Sequence, residues 1–302
     1  MDDRKISGFN AFLMLALIIF WGSSFVVVKV ALREGLTPIA IATFRFLVAG
    51  ILFVIAILIE RERKEDYRFL IEKKDFPTLI FLALSGVTFF FVAQYTGIQM
   101  AGASIAAILV CLLSPILITV LSAAMLNEKL MKSQFLGVGI AACGTFIVVT
   151  GGTINVPNSQ TFFLGSLILL STPILWTLYS LVGKKIMDKH DAFLVVAIVN
   201  VLGGLLLLPF SLYEGSFHQI LSLSFYGWLS ILYLAVTCSL IGYYIWFYVI
   251  KKVGAAVTSS FLFAEPLVTV LFAVTFVDEQ LSIFIPIGGL LIFIGVYLVT
   301  RK

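Results

Sequence analysis

Two ionisable residues lie deep inside apolar stretches of this chain and are the first candidates for chemistry. Glu265 precedes Pro266 in the run from Ala255 to Val277, and Arg45 lies in the run from 38 to 59. A charge near the middle of a membrane span is costly and usually faces a bundle interior or a water-filled cavity. Glu265 can exchange a proton or bind a substrate amine, and it can equally be a static buried carboxyl. Arg45 can snorkel to the headgroups, pair with Glu265, or bind a substrate carboxylate through its planar fork.

Polar and aromatic side chains recur at three- and four-residue spacing along other apolar runs, which places them on shared helix faces. Aromatic walls with a few polar groups are typical of a small-molecule site. Packing or an interfacial belt is the alternative for each aromatic residue. The candidates for a cavity lining are Arg45 and Glu265 together with Trp21, Ser24, Gln94, Tyr95, Ser114, Trp176, Tyr179 and Tyr244.

The residue types that other chemistries require are missing from the apolar runs. Both histidines, His190 and His218, lie in connecting segments, and the three cysteines have neither zinc nor disulfide spacing. No Ser–His pair or second deep carboxyl is available for hydrolysis inside a membrane. The Gly-rich Lys-Ser/Thr loop that binds ATP phosphates is also missing. We therefore expect neither enzyme activity nor a metal or cofactor.

The apolar runs that carry the candidate residues are long enough to cross a bilayer. The 302 residues are 61% hydrophobic and 12% charged, whereas soluble domains average about 45–50% and about 25%. Runs of about 17–25 apolar residues predict transmembrane helices. Ten are found, at roughly 11–31, 38–59, 77–98, 103–125, 134–150, 161–183, 192–213, 226–250, 254–277 and 283–300. The sequence thus predicts an all-α integral membrane protein with ten transmembrane helices, and the net charge of +4 is not interpreted as nucleic-acid binding.

The distribution of basic residues predicts the orientation of these helices. Of the 20 Lys and Arg residues, all but Lys29, Arg33 and Arg45 fall in the terminal segments or in loops that share their side of the membrane. Cytoplasmic loops are enriched in Lys and Arg. We therefore expect both termini to be cytoplasmic and the lipid bilayer to be the surroundings of the chain.

Matching residues at constant offsets predict two copies of a five-helix unit, residues 1–151 and residues 160–302. Trp21 and Lys29 match Trp176 and Lys184 at an offset of 155. A second set matches at an offset of 151: Pro115, Glu128, Gly137 and Gly144 with Pro266, Glu279, Gly288 and Gly295. Because five is odd, the second copy is inverted in the membrane, as in many secondary transporters. Pro115 and Pro266 are the predicted helix breaks, and the glycines are predicted to pack helices closely.

The motifs and their order resemble the EamA branch of the drug/metabolite transporter superfamily. They are Trp21-Gly-Ser-Ser-Phe, Phe44-Arg45-Phe46, Ser114-Pro115, Glu265-Pro266, and the segments Asn127-Glu128-Lys129-Leu130 and Asp278-Glu279-Gln280-Leu281. The resemblance covers nearly the whole chain. It implies a carrier of small metabolites, often an exporter of amino acids or related compounds, with a cavity walled mainly by helices 1, 3, 4, 6, 8 and 9.

Several questions stay open at the level of sequence. An exporter of amphiphilic drugs or cations is the alternative substrate class, and a non-transporting membrane receptor or scaffold is the alternative function. Protons are the candidate coupling ion, with Glu265 as their carrier; the substrate, its direction and the oligomeric state are not specified. Glu128 and Glu279 precede helices 5 and 10, whose N-termini favour a carboxylate, so we expect them to cap those helices.

Overall fold

The computed structural model of the chain describes residues 6–63, 71–101, 106, 108–150, 160–277 and 284–301, and in these ranges it contains helices and no β-strand. Nine of the described helices are long and apolar enough to cross a membrane, and a shorter apolar helix covers Pro286–Thr300. The prediction of an all-helical membrane protein is confirmed. The helices are α1 (Gly8–Arg33), α2 (Pro38–Arg63), α3 (76–101), α4 (108–126), α5 (Lys132–Thr150), α6 (Gln160–Met187), α7 (Ala192–Tyr213), α8 (Phe225–Val253), α9 (255–277) and α10 (Phe284–Thr300).

Polar residues at the helix ends set several of these boundaries. The Ser7 hydroxyl and the Asp191 carboxylate accept hydrogen bonds from backbone amides in the first turns of α1 and α7, at 3.2 Å and 3.0 Å. Such side chains satisfy amides that have no partner within the helix. Gly254, with a φ of 97°, lets the chain turn directly from α8 into α9, a conformation that a residue with a Cβ rarely adopts.

Four helices are interrupted inside the bundle. Wider π-helical turns occupy Leu84–Thr88 in α3, Ile108–Leu112 in α4 and Leu234–Ile241 in α8, and a tight 3₁₀ turn occupies Phe261–Ala264 in α9. Turns of these kinds often mark functional positions.

Both predicted proline breaks lie directly after such an interruption. Pro115 is in the first turn of the segment Leu113–Leu126, and Pro266 is the second residue of Glu265–Val277, where a missing N–H is tolerated best. Pro266 has no N–H to donate to the carbonyl of Leu262, four residues earlier. That carbonyl accepts a hydrogen bond from the amide of Glu265 instead. The next carbonyl, that of Phe263, accepts one from the Thr145 hydroxyl at 2.9 Å. The interruption in α9 is therefore supported from α5.

The helices pair along their lengths: α5 with α10, α3 with α6, α2 with α7 and α1 with α9. Glycines bring α5 and α10 into backbone contact. A Cβ added to Gly144 would lie 2.6 Å from the Gly288 carbonyl oxygen, and one added to Gly288 would lie 2.6 Å from that of Gly144. Gly137 and Gly295 are related in the same way, at 2.6 Å and 2.5 Å. These two helices form a tightly packed support beside the cavity helices.

We expect Gly144→Ala to lower the apparent melting temperature of the detergent-purified protein. The added methyl group meets a backbone carbonyl that cannot move alone, and overpacking of this kind costs about 1–3 kcal/mol. Gly139→Ala is the matched control on the same helix, because nothing lies within 4 Å of a Cβ at Gly139. The control should be neutral or slightly stabilising, since alanine favours a helix over glycine. Equal melting temperatures for the two variants would contradict this packing.

Candidate functional site

A cavity of about 90 Å³ lies among α1, α2, α3, α4, α6, α8 and α9. Its wall is mostly apolar, and its ionisable members include Arg45 and Glu265. The family resemblance implied a cavity walled by six helices. The structure adds α2 to that wall, because Arg45 projects into the cavity from it. The lining residues are Trp21, Ser24, Phe25, Val28, Arg45, Phe90, Phe91, Gln94, Tyr95, Ile98, Val110, Cys111, Ser114, Trp176, Tyr243, Leu262 and Glu265.

Eight of the ten predicted lining residues are in this wall, and Tyr179 and Tyr244 are not. Tyr179 is fully buried behind Trp176, with its ring centroid 5.2 Å from that of Trp176. Tyr244 is 37% exposed and packs edge to face against Phe193, outside the cavity. Its neighbour Tyr243 lines the cavity instead. The π-helical turn before these tyrosines changes the rotation per residue, so α-helical spacing along α8 does not predict which side chain faces inward.

Arg45 points into the bundle, where it is only 4% exposed. Its Nε donates a hydrogen bond of 2.7 Å to the Ser239 hydroxyl on α8. Its guanidinium carbon lies 5.0 Å from the ring centroid of Phe46 and 4.8 Å from that of Phe91, within cation–π distance. The guanidinium is therefore held at its Nε edge and on one face. Of the three alternatives for Arg45, this position disfavours snorkelling.

Glu265 projects into the same cavity from α9, at the start of the segment that follows the 3₁₀ turn. The Cys111 thiol of α4 lies against its carboxyl. Ser114, one turn further along α4, is fully buried, and its hydroxyl has no hydrogen-bond partner among the described residues. No ion pair within 4 Å joins Glu265 to Arg45, both of which are described. The cavity wall thus brings together a carboxyl, a guanidinium and a buried hydroxyl that has no partner among the described residues.

Aromatic rings close the cavity at one end. The aromatic cluster consists of Trp21, Trp176, Tyr179, Tyr243 and Trp246, with neighbouring ring centroids 5.2–5.8 Å apart. Two of its rings are hydrogen-bonded across helices: Trp21 Nε1 donates to the Cys238 carbonyl at 3.1 Å, and the Tyr243 hydroxyl donates to the Gly86 carbonyl at 2.9 Å. From this cluster the lining continues along α1 to Val28 and along α3 to Ile98. The cavity therefore extends towards the ends of α1 and α3.

A polar contact ties the helices together on the far side of the aromatic cluster. The Glu128 carboxylate, between α4 and α5, accepts hydrogen bonds from Lys184 Nζ at 2.5 Å and from the backbone amides of Ala255 and Ala256 at 2.9 Å and 3.3 Å. We name this arrangement the Glu128 clasp. The expectation that Glu128 caps α5 is wrong, because the carboxylate caps α9 across the bundle. Glu279, for which the same role was expected at α10, lies outside the described residues.

Burial raises the pKa of Glu128, but the hydrogen bond and charge of Lys184 and the two amides outweigh it and hold the pKa below its ordinary value of 4.5. A carboxyl with a lowered folded-state pKa contributes stability above its unfolded pKa, and this contribution is lost as the pH falls through the folded value. The clasp is therefore complete at neutral pH and weakens only below pH 4.5.

We expect Glu128→Gln to reduce stability at neutral pH by about 1–3 kcal/mol, because it removes charge-assisted hydrogen bonds while keeping the size of the side chain. The difference in melting temperature from the wild type should be constant above about pH 5 and should narrow as the pH falls further, where the wild-type carboxyl is protonated too. Lys184→Met should show the same pattern. A difference that stays constant down to about pH 3 would contradict this account.

Comparison with known proteins identifies the family. The model of the EamA-like transporter family matches residues 8–150 and 163–301. The chain belongs to the EamA-like transporter family. The resemblance stated from the motifs is confirmed, and the chain is a multi-pass protein of the cell membrane. The family is one of transporters, which are not enzymes.

Relatives of this EamA-like transporter align with it over most of its length. An uncharacterized transporter of Archaeoglobus fulgidus is 30% identical over 292 residues, covering 96% of this chain and 98% of the relative. The uncharacterized inner membrane transporter YedA of Escherichia coli K12 is 27% identical over 269 residues, covering 89% and 83%. A solved protein crystal structure aligns with a TM-score of 0.76 at 16% identity, over 98% of both chains. The last comparison shows a shared fold.

Proposed function

We propose that this chain is a secondary transporter that exports small zwitterionic metabolites, amino acids or related compounds, by alternating access. The observation that carries this proposal is the cavity lined by both Arg45 and Glu265, which form no ion pair with each other. A buried charge without a counter-charge is costly, so a ligand that brings the opposite charge to each residue is favoured. A free amino acid has this charge pattern, with a carboxylate for Arg45 and an ammonium group for Glu265.

The cavity argues against amphiphilic cations as substrates. The Arg45 guanidinium repels a second positive charge, and a cavity of about 90 Å³ is small beside the roughly 300–1,000 Å³ of sites for drug-sized ligands. The apolar wall, which includes Phe25, Ile98 and Leu262, suits an apolar side chain on the amino acid.

The proposed architecture is ten spans in two inverted five-helix repeats, residues 1–151 and residues 160–302, with cytoplasmic termini. Two observations support it. The π-helical turns of α3 and α8 lie about one repeat offset apart, as do the interruptions of α4 and α9. The glycines also contact one another crosswise, Gly137 with Gly295 and Gly144 with Gly288, as a two-fold relation between the halves requires, because residue i then contacts j′ while j contacts i′.

For this architecture we propose that the conformation described here is the outward-open state. The cavity extends towards the ends of α1 and α3 on the outer side, and the aromatic cluster and the Glu128 clasp lie between it and the cytoplasm. Rocking of the two halves would break the clasp and open the cytoplasmic side. Glu265 is the proposed carrier of the coupling proton.

A thermal-stability screen of the purified protein tests the substrate class. The twenty L-amino acids, nucleosides and amphiphilic cations are compared at two pH values, because a ligand that binds only the folded state raises its melting temperature. We expect stabilisation by amino acids and none by amphiphilic cations. Stabilisation by cations alone would support the drug-exporter alternative and contradict the proposal.

A further inference from the structure

The hydrogen bond between Arg45 and Ser239 assigns a role to a residue outside the cavity wall. Ser239 is completely buried in the π-helical turn of α8, and its hydroxyl accepts a 2.7 Å hydrogen bond from Arg45 Nε. A guanidinium has five N–H groups in a fixed planar fork. The hydroxyl takes the one at Nε. The Tyr95 hydroxyl also lies against the Arg45 side chain, and the N–H groups of the two Nη nitrogens that these contacts leave are available to a ligand.

The surroundings of Arg45 restrict the remaining freedom of the fork. The ring centroids of Phe46 and Phe91 are 4.9 Å apart, and each lies about 5 Å from the guanidinium carbon, so the two rings form a corner on one side of it. Stacking on a ring still lets the guanidinium turn about its chain axis. The hydrogen bond to Ser239 is directional and removes that rotation.

The π-helical turn of α8 places the Ser239 hydroxyl within hydrogen-bonding distance of Arg45. Its neighbour Cys238 contacts α1, since the Cys238 carbonyl accepts from Trp21 Nε1 at 3.1 Å and its thiol donates to the Phe20 carbonyl at 3.2 Å. Consecutive residues of α8 thus hold Trp21 of α1 and Arg45 of α2, both in the cavity wall. Through these hydrogen bonds, the π-helical turn of α8 contacts both α1 and α2 beside the cavity.

We infer that Ser239 is a positioning residue that determines specificity: its hydroxyl fixes the rotation of the Arg45 guanidinium so that the two Nη groups meet a substrate carboxylate side by side. This inference rests on the proposed function, because it concerns the same cavity. Bidentate pairing of arginine with a carboxylate depends on this planar alignment. Without Ser239 the charge remains, but the fork is free to turn.

The test compares Ser239→Ala with the wild type, using the twenty L-amino acids and their carboxamides as ligands. The amide keeps the ammonium group and the side chain but has no carboxylate. In the wild type, the preferred amino acid should bind more tightly than its amide. In Ser239→Ala the dissociation constant for the amino acid should rise about tenfold, which is the size expected for the loss of one hydrogen bond to a charged group. The dissociation constant for the amide should not change. Ser239→Thr, which keeps the hydroxyl, should restore the preference.

Ser211→Ala is the matched control, because the fully buried Ser211 hydroxyl lies on α7, which contributes no residue to the cavity lining, and hydrogen-bonds the Ser216 hydroxyl at 3.1 Å. This control should change the melting temperature and not the preference for acid over amide. A wild type that binds no amino acid, or binds acid and amide equally, overturns the proposed function. If the wild type prefers the acid and Ser239→Ala keeps the full preference, only the role of Ser239 is overturned. The same holds if Ser239→Ala weakens the binding of acid and amide equally.

Discussion

Arg45→Lys will transport zwitterionic and acidic solutes poorly, with an apparent KM raised about tenfold to a hundredfold over the wild type. Lysine keeps the positive charge but has neither the planar fork nor the Nε–H that binds Ser239. Loss of charge-assisted hydrogen bonds worth about 1.5–3 kcal/mol corresponds to this range. Solutes without a carboxylate should be unaffected, because their transport does not use the fork. Initial rates of uptake into proteoliposomes at several solute concentrations measure this effect.

Arg33→Lys is the control for this substitution, because Arg33 is exposed at the end of α1 and does not line the cavity. It should leave the KM unchanged. Equal transport of carboxylate-bearing solutes by Arg45→Lys and by the wild type would show that Arg45 does not bind the substrate carboxylate.

Glu265→Gln will lose uptake driven by a pH gradient and will retain passive counterflow. The amide has nearly the size of the carboxyl but cannot carry a proton, so the coupling step fails while the cavity keeps its shape. The ionisable groups near this carboxyl are Cys111 of α4 and, further off, Cys238 of α8; Arg45 and Tyr95 line the same cavity. Uptake into proteoliposomes with and without an imposed pH gradient measures the effect.

Glu214→Gln is the matched carboxyl control, because Glu214 follows α7 at the protein surface and accepts a hydrogen bond from the Thr37 hydroxyl. It should retain the response to the pH gradient. If Glu265→Gln keeps the pH dependence of the wild type, the coupling proton is carried elsewhere.

The inward position of Arg45 and Glu265 could be predicted from sequence, because an ionisable side chain in a membrane span usually faces the bundle interior or a water-filled cavity rather than lipid. Helical spacing also predicted Trp21, on the uninterrupted helix α1, and Gln94 and Ser114, which lie beyond the π-helical turns of α3 and α4, in the wall. The same reasoning failed for Tyr244, which follows the π-helical turn of α8. No motif in the sequence signals that such a turn is present.

Contacts between residues far apart in the chain could not be predicted from the sequence either. Glu128 was expected to cap the helix that follows it, because local rules consider neighbours in sequence. It instead caps α9, 127 residues further along the chain, and pairs with Lys184. The hydrogen bond between Arg45 and Ser239 joins residues 194 apart in the chain, and helical periodicity does not predict it either. These pairings follow from how the helices pack.

The halves share their interruptions but not their chemistry. Pro115 and Pro266 both begin a helical segment after an irregular turn, yet Ser114 precedes the first and Glu265 the second. In the proposed alternating-access mechanism, repeated backbone features let the two halves rock about a common cavity. The single carboxyl gives that cavity one ionisable acidic group, which a substrate amine or a proton can use.

Counterflow in proteoliposomes tests the central claim most directly. Vesicles that contain the wild-type protein are loaded with the amino acid that stabilises it best and are diluted into a trace of the same labelled compound. We predict saturable accumulation of label that an excess of the amino acid abolishes and its carboxamide reduces only weakly. Accumulation no greater than in protein-free vesicles, or accumulation of a lipophilic cation instead, would contradict a cavity built for zwitterions.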